Sequence, residues 1–136
     1  MQHLILVKPD ETHFPELLAY RNECLAHDDH THGDCGLSKV TDIAGMQAWL
    51  DRIHELESTG IARYGWVSGS QYMLMHEGDP RILGMINFRH SLGDPAGYLA
   101  RHGGHIGYGV RPSERGKGYA TAMLRLCLDE ARKRGL

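Results

Sequence analysis

Long apolar runs are missing from this sequence. No stretch approaches the roughly 18 residues that a membrane-spanning helix needs. The short run Leu4 to Val7 has no basic flank before it and no small-residue cleavage site after it, so it does not read as a signal peptide. Cysteine is scarce. Cys24, Cys35 and Cys127 are an odd set at no framework spacing, which argues against a disulfide scaffold and for reduced thiols in a cytoplasm. An excess of positive charge is missing too: 15 Lys and Arg face 17 Asp and Glu, for a net charge of −2. General nucleic-acid affinity is therefore not expected, although local basic sites are compatible with that balance. There is no internal repeat, low-complexity tract or linker. What is present is 136 residues, 41% hydrophobic and 24% charged. That is one folded domain over residues 1–136, large enough to bury roughly two-thirds of its unfolded surface. The unusual counts are 10 His and 17 Gly.

Leu4-Ile5-Leu6-Val7, ended by Pro9, suits a strand, and Asp10 can cap a following helix in which Phe14, Leu17, Leu18, Cys24 and Leu25 recur near helical spacing. His27 to Ser38 reads as a polar loop. Thr41 or Asp42 can start a second helix, with Met46, Trp49, Leu50, Ile53 and Leu56 on one face and Gly60 past its end. Tyr72 to His76 and Arg81 to Arg89 read as strands joined by a turn at Gly78-Asp79-Pro80. Ser91 to Gly104 reads as a loop, and Gly104 to Val110 as a strand with Ile106, Tyr108 and Val110 on one face. Tyr119 to Arg134 is the strongest helix, with Ala120, Met123, Leu124, Cys127, Leu128 and Ala131 as its stripe and Gly135 as its C-cap. The predicted order is β, α, α, β, β, β, α. The last strand and helix form the open half of a βαβ unit, and the chain stops before any parallel strand.

The segment Val110-Arg111-Pro112-Ser113-Glu114-Arg115-Gly116-Lys117-Gly118-Tyr119-Ala120 joins a strand to a helix N-terminus. Free amides and the helix dipole favour an anion there. Gly116 and Gly118 would let a phosphate approach the backbone, and Arg115 and Lys117 add positive charge. A solvated basic turn is the bland alternative. The segment is not a Walker loop, having no GKS or GKT at the required spacing, and no GxGxxG dinucleotide fingerprint occurs.

Arg115-Gly116-Lys117-Gly118-Tyr119-Ala120 resembles the R/Q-x-x-G-x-G/A pyrophosphate loop of GNAT-type N-acetyltransferases. Gly103 to Val110 is similar to that family's fourth strand, and Ile82 to Arg89 to the third strand of a bacterial acetyltransferase subgroup. The resemblance implies an α/β fold with a mixed sheet flanked by helices. It implies acetyl-CoA as co-substrate and direct transfer of acetyl to an amine. Carried over by position, the amides of Gly116, Lys117, Gly118, Tyr119 and Ala120 would hold the pyrophosphate. Arg115 would shape the loop or touch phosphate. The backbone of Tyr108, Gly109 and Val110 would pair with the pantetheine arm, one amide polarising the thioester carbonyl. The resembled family continues with a fifth strand, a fourth helix and two further strands. The expectation is thus a domain lacking its C-terminal part, whose open edge leaves room for a homo-dimer. A noncatalytic module binding CoA or another phosphate ligand, and an inactive fragment, are the alternatives.

Amine acetylation needs a base or water relay. The candidate fourth strand has no carboxylate, so His105 and Tyr108 are the catalytic candidates. His105 is also compatible with a satisfied strand histidine, and Tyr108 with packing under the cofactor. Arg89 and His90 end the third strand and are candidate substrate contacts, Arg89 being able to fork onto a carboxylate. Cys24, His27, His30, His32 and Cys35 are the densest ligand-type cluster. Their spacing matches no zinc motif, and a polar loop that borders the acceptor is preferred to a metal site. Trp49 reads as core, while Trp66 is either core or acceptor wall. The acceptor class spans small amines and peptides, with a weak lean towards cations. No nucleic-acid or membrane partner is expected.

Overall fold

A computed structural model describes residues 3–28, 30–58, 68–90 and 106–134. The elements are β1 (Leu4–Val7), α1 (Phe14–Asp28), α2 (Ile43–Ser58), β2 (Gly69–His76), β3 (Gly84–Arg89), β4 (Ile106–Val110) and α3 (Tyr119–Lys133). The sheet order is β1-β2-β3-β4, antiparallel at each pairing. The parallel pair that would make the sheet mixed is not among the described residues. The expected loop from Ser91 to Gly104, together with Gly60, Trp66, His105 and Gly135, lies outside them.

Asp10 caps a 3-10 turn (Glu11–His13) that feeds α1: its side chain accepts from the Thr12 amide, and His13 answers the Asp10 amide. Asp42 starts α2 by accepting from the Gly45 amide at 2.7 Å. Gly78, at φ +82°, turns the chain between β2 and β3. Strand alternation separates two cores. On one face, Met73, Met75 and Met85 pack with Leu17 and Tyr20 of α1 and with Met46, Trp49, Leu50 and Ile53 of α2. On the other, Tyr72, Leu74, Ile86 and Phe88 pack with Met123 and Cys127 of α3. Trp49 is core as expected, its indole N–H donating to the Asp34 carbonyl. The predicted α3 stripe is only partly used. Met123 and Cys127 are fully buried, but Leu124 and Leu128 are 37% and 40% exposed, because the face packed on the sheet runs through Tyr119, Met123, Leu126, Cys127 and Ala131 instead. Among the described residues no helix is long and apolar enough to cross a membrane.

Candidate functional site

The candidate site begins at the outer edge of β4. The Arg111 amide donates to the Leu83 carbonyl directly across the ladder, at 2.8 Å. Hydrogen-bonded pairs alternate in an antiparallel ladder, so the amides of Gly109 and Gly107 point at β3 and those of Tyr108 and Val110 at the other edge, which pairs with no strand among the described residues. Gly109 is therefore not an edge donor. Its role is steric: an added Cβ would lie 2.9 Å from the His32 carbonyl oxygen. The segment after α1 crosses this glycine face. A Cβ on Gly33 would come within 2.5 Å of the Tyr108 Cα. Gln71 pins the crossing by donating to the Gly33 carbonyl at 2.7 Å. Cys35 donates its thiol to Gln71, and Asn87 supplies a second donor to the same oxygen. Burial pushes the Cys35 thiol up to about 11, which keeps it protonated and inert. Tyr108 projects from the opposite face and is half-exposed.

Beyond Val110 the chain makes a 3-10 turn (Pro112–Glu114), then passes through Gly116 and Gly118 at φ +80° and +83° into α3. No side chain caps α3; its first ladder bond runs from the Ala122 amide to the Gly118 carbonyl. The early amides of this helix are thus left for another acceptor. A Cβ on either glycine would meet nothing within 4 Å. These glycines serve the left-handed backbone, rather than relieving any contact within the protein.

The turn is held by ion pairs that the sequence did not announce. Arg111, almost fully buried, donates to Glu16 at 2.6 Å and to Glu23 at 2.8 Å. Glu23 also accepts from the Ser113 amide. Burial opposes ionisation of Glu23, but Arg111 and Ser113 outweigh it and hold the carboxyl at about 2. Glu114 accepts from Arg81 and Lys117, each at 3.0 Å. Arg115 forks onto Asp28 at the end of α1, and its Nε donates to the Val110 carbonyl. Arg115, followed by His27, holds the Asp28 carboxyl well below the usual range. Four cations around the turn (Arg81, Arg111, Arg115, Lys117) thus meet four carboxylates (Glu16, Glu23, Asp28, Glu114). Glu16 and Glu23 stand seven residues apart, two helical turns, and that same-face spacing, with the i,i+3 spacing of Glu114 and Lys117, was the readable signal.

The remaining candidates separate. Arg89 and His90 are neighbours in sequence but fall on opposite faces of the strand line. His90 lies between Ser68 and Ser70, at 3.0 and 2.9 Å, with its ring against Phe88. It is six residues up the strand from Gly84, or about 20 Å from the turn end of the sheet. Cys24 is in the core, while His30 and His32 touch edge to face. Among the described residues no three His, Cys, Asp or Glu converge to hold a metal. Tyr119 opens α3 with its hydroxyl 3.2 Å from His76.

These features can be set beside known proteins. The acetyltransferase (GNAT) domain family matches residues 3–136. A search of curated proteins finds no match. Among solved structures, the chain is similar to RimL, a ribosomal-protein α-N-acetyltransferase in complex with coenzyme A, in which the coenzyme is disulfide-bonded to a cysteine. The TM-score is 0.66 at 20% identity, over 97% of this chain and 65% of that one. The chain therefore spans about two-thirds of that protein's length, and the likeness is one of fold. With its family matched over nearly every residue, this chain belongs to the GNAT acetyltransferase family.

Proposed function

We propose that this chain binds acetyl-CoA along the open edge of β4 and the turn before α3, and that its domain transfers the acetyl group to an amine. The observation that carries the reading is the uncapped start of α3 behind two left-handed glycines, in line with the outward amides of Tyr108 and Val110. The amides of Gly116, Lys117, Gly118, Tyr119 and Ala120 receive the diphosphate. The edge of β4 pairs with the pantetheine arm. The Val110 or Tyr108 amide polarises the thioester carbonyl, while Gly109 keeps its own face flush with the crossing segment. The amine attacks that carbonyl; the C–N bond forms, the C–S bond breaks, and the thiolate takes a proton. Tyr108 and His105 are the candidates for the proton relay, and Arg89 for holding an acidic group of the acceptor. His90, satisfied by two serines, contributes to the acceptor side through structure.

RimL acts on a protein amine, which favours peptide amines beside small ones. The three free thiols suit a cytoplasmic setting. The uncharged edge Ile106–Val110 is also open to a second copy of the chain, which would compete with coenzyme for the same amides. Light scattering with and without acetyl-CoA tests that competition. Calorimetry with acetyl-CoA, using desulfo-CoA and ATP as controls, tests the main reading. Saturable, CoA-selective binding is expected; a folded chain that binds none of them overturns it.

A further inference from the structure

The turn offers a phosphate ligand less free charge than its sequence suggests. Arg115 and Lys117 are the two cations inside the Arg-Gly-Lys-Gly run, and both are occupied. Their restraints differ in kind. Glu114 belongs to the turn itself, is buried, and braces it through Arg81 as well as Lys117. Asp28 comes from a distant element, the last residue of α1, and reaches Arg115 across 87 positions of sequence. Arg115 is exposed, and its Nε already keeps the turn closed on the Val110 carbonyl. The fork onto Asp28 therefore uses the two terminal nitrogens, the same groups that would meet a phosphate.

We propose that Asp28 is a positioning residue that competes with the ligand's diphosphate for Arg115, so that coenzyme binding exchanges a carboxylate for a phosphate on one guanidinium. This rests on the coenzyme reading of the turn. The exchange has a second consequence. Asp28 lies at the C-terminal end of α1, immediately before the segment that crosses β4 at Gly33, and it also holds His27 at 2.6 Å. Release of Asp28 by a bound diphosphate would free the start of that segment. The pair thereby links the coenzyme turn to the face of β4 opposite Tyr108. The direction of the effect follows from the competition. A neutral amide at this position accepts hydrogen bonds but carries no charge, so the ligand displaces it more easily.

The test is acetyl-CoA affinity by calorimetry in wild type, Asp28→Asn, Arg115→Gln and the double variant. Asp28→Asn is expected to bind about two- to five-fold more tightly than wild type, the scale of one solvent-exposed ion pair. In the Arg115→Gln background the same change is expected to have no effect. Because Asp28 contacts solvent and leaves the Val110 carbonyl bond of Arg115 intact, the single variant keeps the fold, checked by its thermal midpoint. Unchanged or weaker binding by Asp28→Asn overturns the proposal. So does tightening that persists without Arg115, which would report only the removal of a negative charge near the site. Failure of wild type to bind acetyl-CoA at all would instead overturn the coenzyme reading beneath it.

Discussion

In β4, a Cβ on Gly109 would sit 2.9 Å from a carbonyl oxygen of the crossing segment, whereas one on Gly116 or Gly118, a few residues later, would meet nothing within 4 Å. The first kind of glycine lets two pieces of backbone touch. The second lets the chain adopt φ near +80° and enter α3 with its amides uncovered. The strand glycine thus serves the protein's own packing, and the turn glycines serve a left-handed entry into α3, whose first amides no side chain caps. A substitution in the first region should damage the fold, and one in the second should damage binding.

The largest effect should come from Gly33→Ala, the other half of the β4 contact. It combines φ +67° with a Cβ 2.5 Å from Tyr108 Cα. Neither partner is the end of a flexible side chain, so the crossing segment must lift. A loss of about 2–4 kcal/mol is expected in urea unfolding. A variant as stable as wild type would break the comparison outright. Next comes Arg111→Met, which leaves Glu16 and Glu23 without their shared cation. About 2–3 kcal/mol should be lost, with part recovered when both glutamates are also made Gln. Full recovery is not expected, because Glu16 also accepts from the Ile82 amide and Glu23 from the Ser113 amide. Gly118→Ala sharpens the contrast. Its methyl meets no atom, so the stability cost should be only about 1–2 kcal/mol of backbone strain. Acetyl-CoA affinity should nevertheless fall about tenfold or more. Equal affinity would show that the turn's left-handed geometry is not what the ligand reads.

The two regions also differed in how far the sequence disclosed them. The turn was readable because its signal is local: a strand, glycines, cations and a strong amphipathic helix lie in one run from Val110 to Arg134. The helices and the β2–β3 hairpin were readable for the same reason, through periodicity and through Gly78-Asp79-Pro80. The contacts that hold the turn were not. Glu16, Glu23 and Asp28 stand 87 or more residues from the arginines they meet, and no spacing rule joins residues so far apart. Arg115 and Lys117 read as positive charge for a ligand. Asp28, which pairs with Arg115, lies too far off in sequence to be seen, whereas Glu114, which pairs with Lys117, stands three residues before it and was a local signal left unread. The His27 to Ser38 stretch shows the same limit. Its histidines suggested a polar surface loop, but the informative residue was Gly33, whose need for a bare Cα arises only from the strand beneath it. Arg89 and His90 were paired by adjacency, although adjacency in a strand places side chains on opposite faces.

The smallest predicted effect concerns acid. Glu23 in the folded chain titrates at about 2 against an ordinary 4.5, because Arg111 and the Ser113 amide stabilise its charged form more than burial penalises it. Between those values the unfolded chain binds the extra proton, so the contribution of Glu23 is complete above about 4.5 and is lost as pH falls towards 2. With a side chain 29% exposed, the loss should be about 1–2 kcal/mol after solvent screening. It should appear as a steeper fall in thermal midpoint below pH 4.5 for wild type than for Glu23→Gln. The effect distinguishes the brace from the glycine contact between β4 and the crossing segment. The brace weakens with the carboxylates that supply it, whereas the strand glycines, which carry no charge, should hold the crossing segment on β4 until the fold itself is lost. If Glu23→Gln and wild type lose stability in parallel, the turn is held by its other contacts, without a contribution from the Glu23 charge. Glu23 would then be a spectator to the pair Arg111–Glu16.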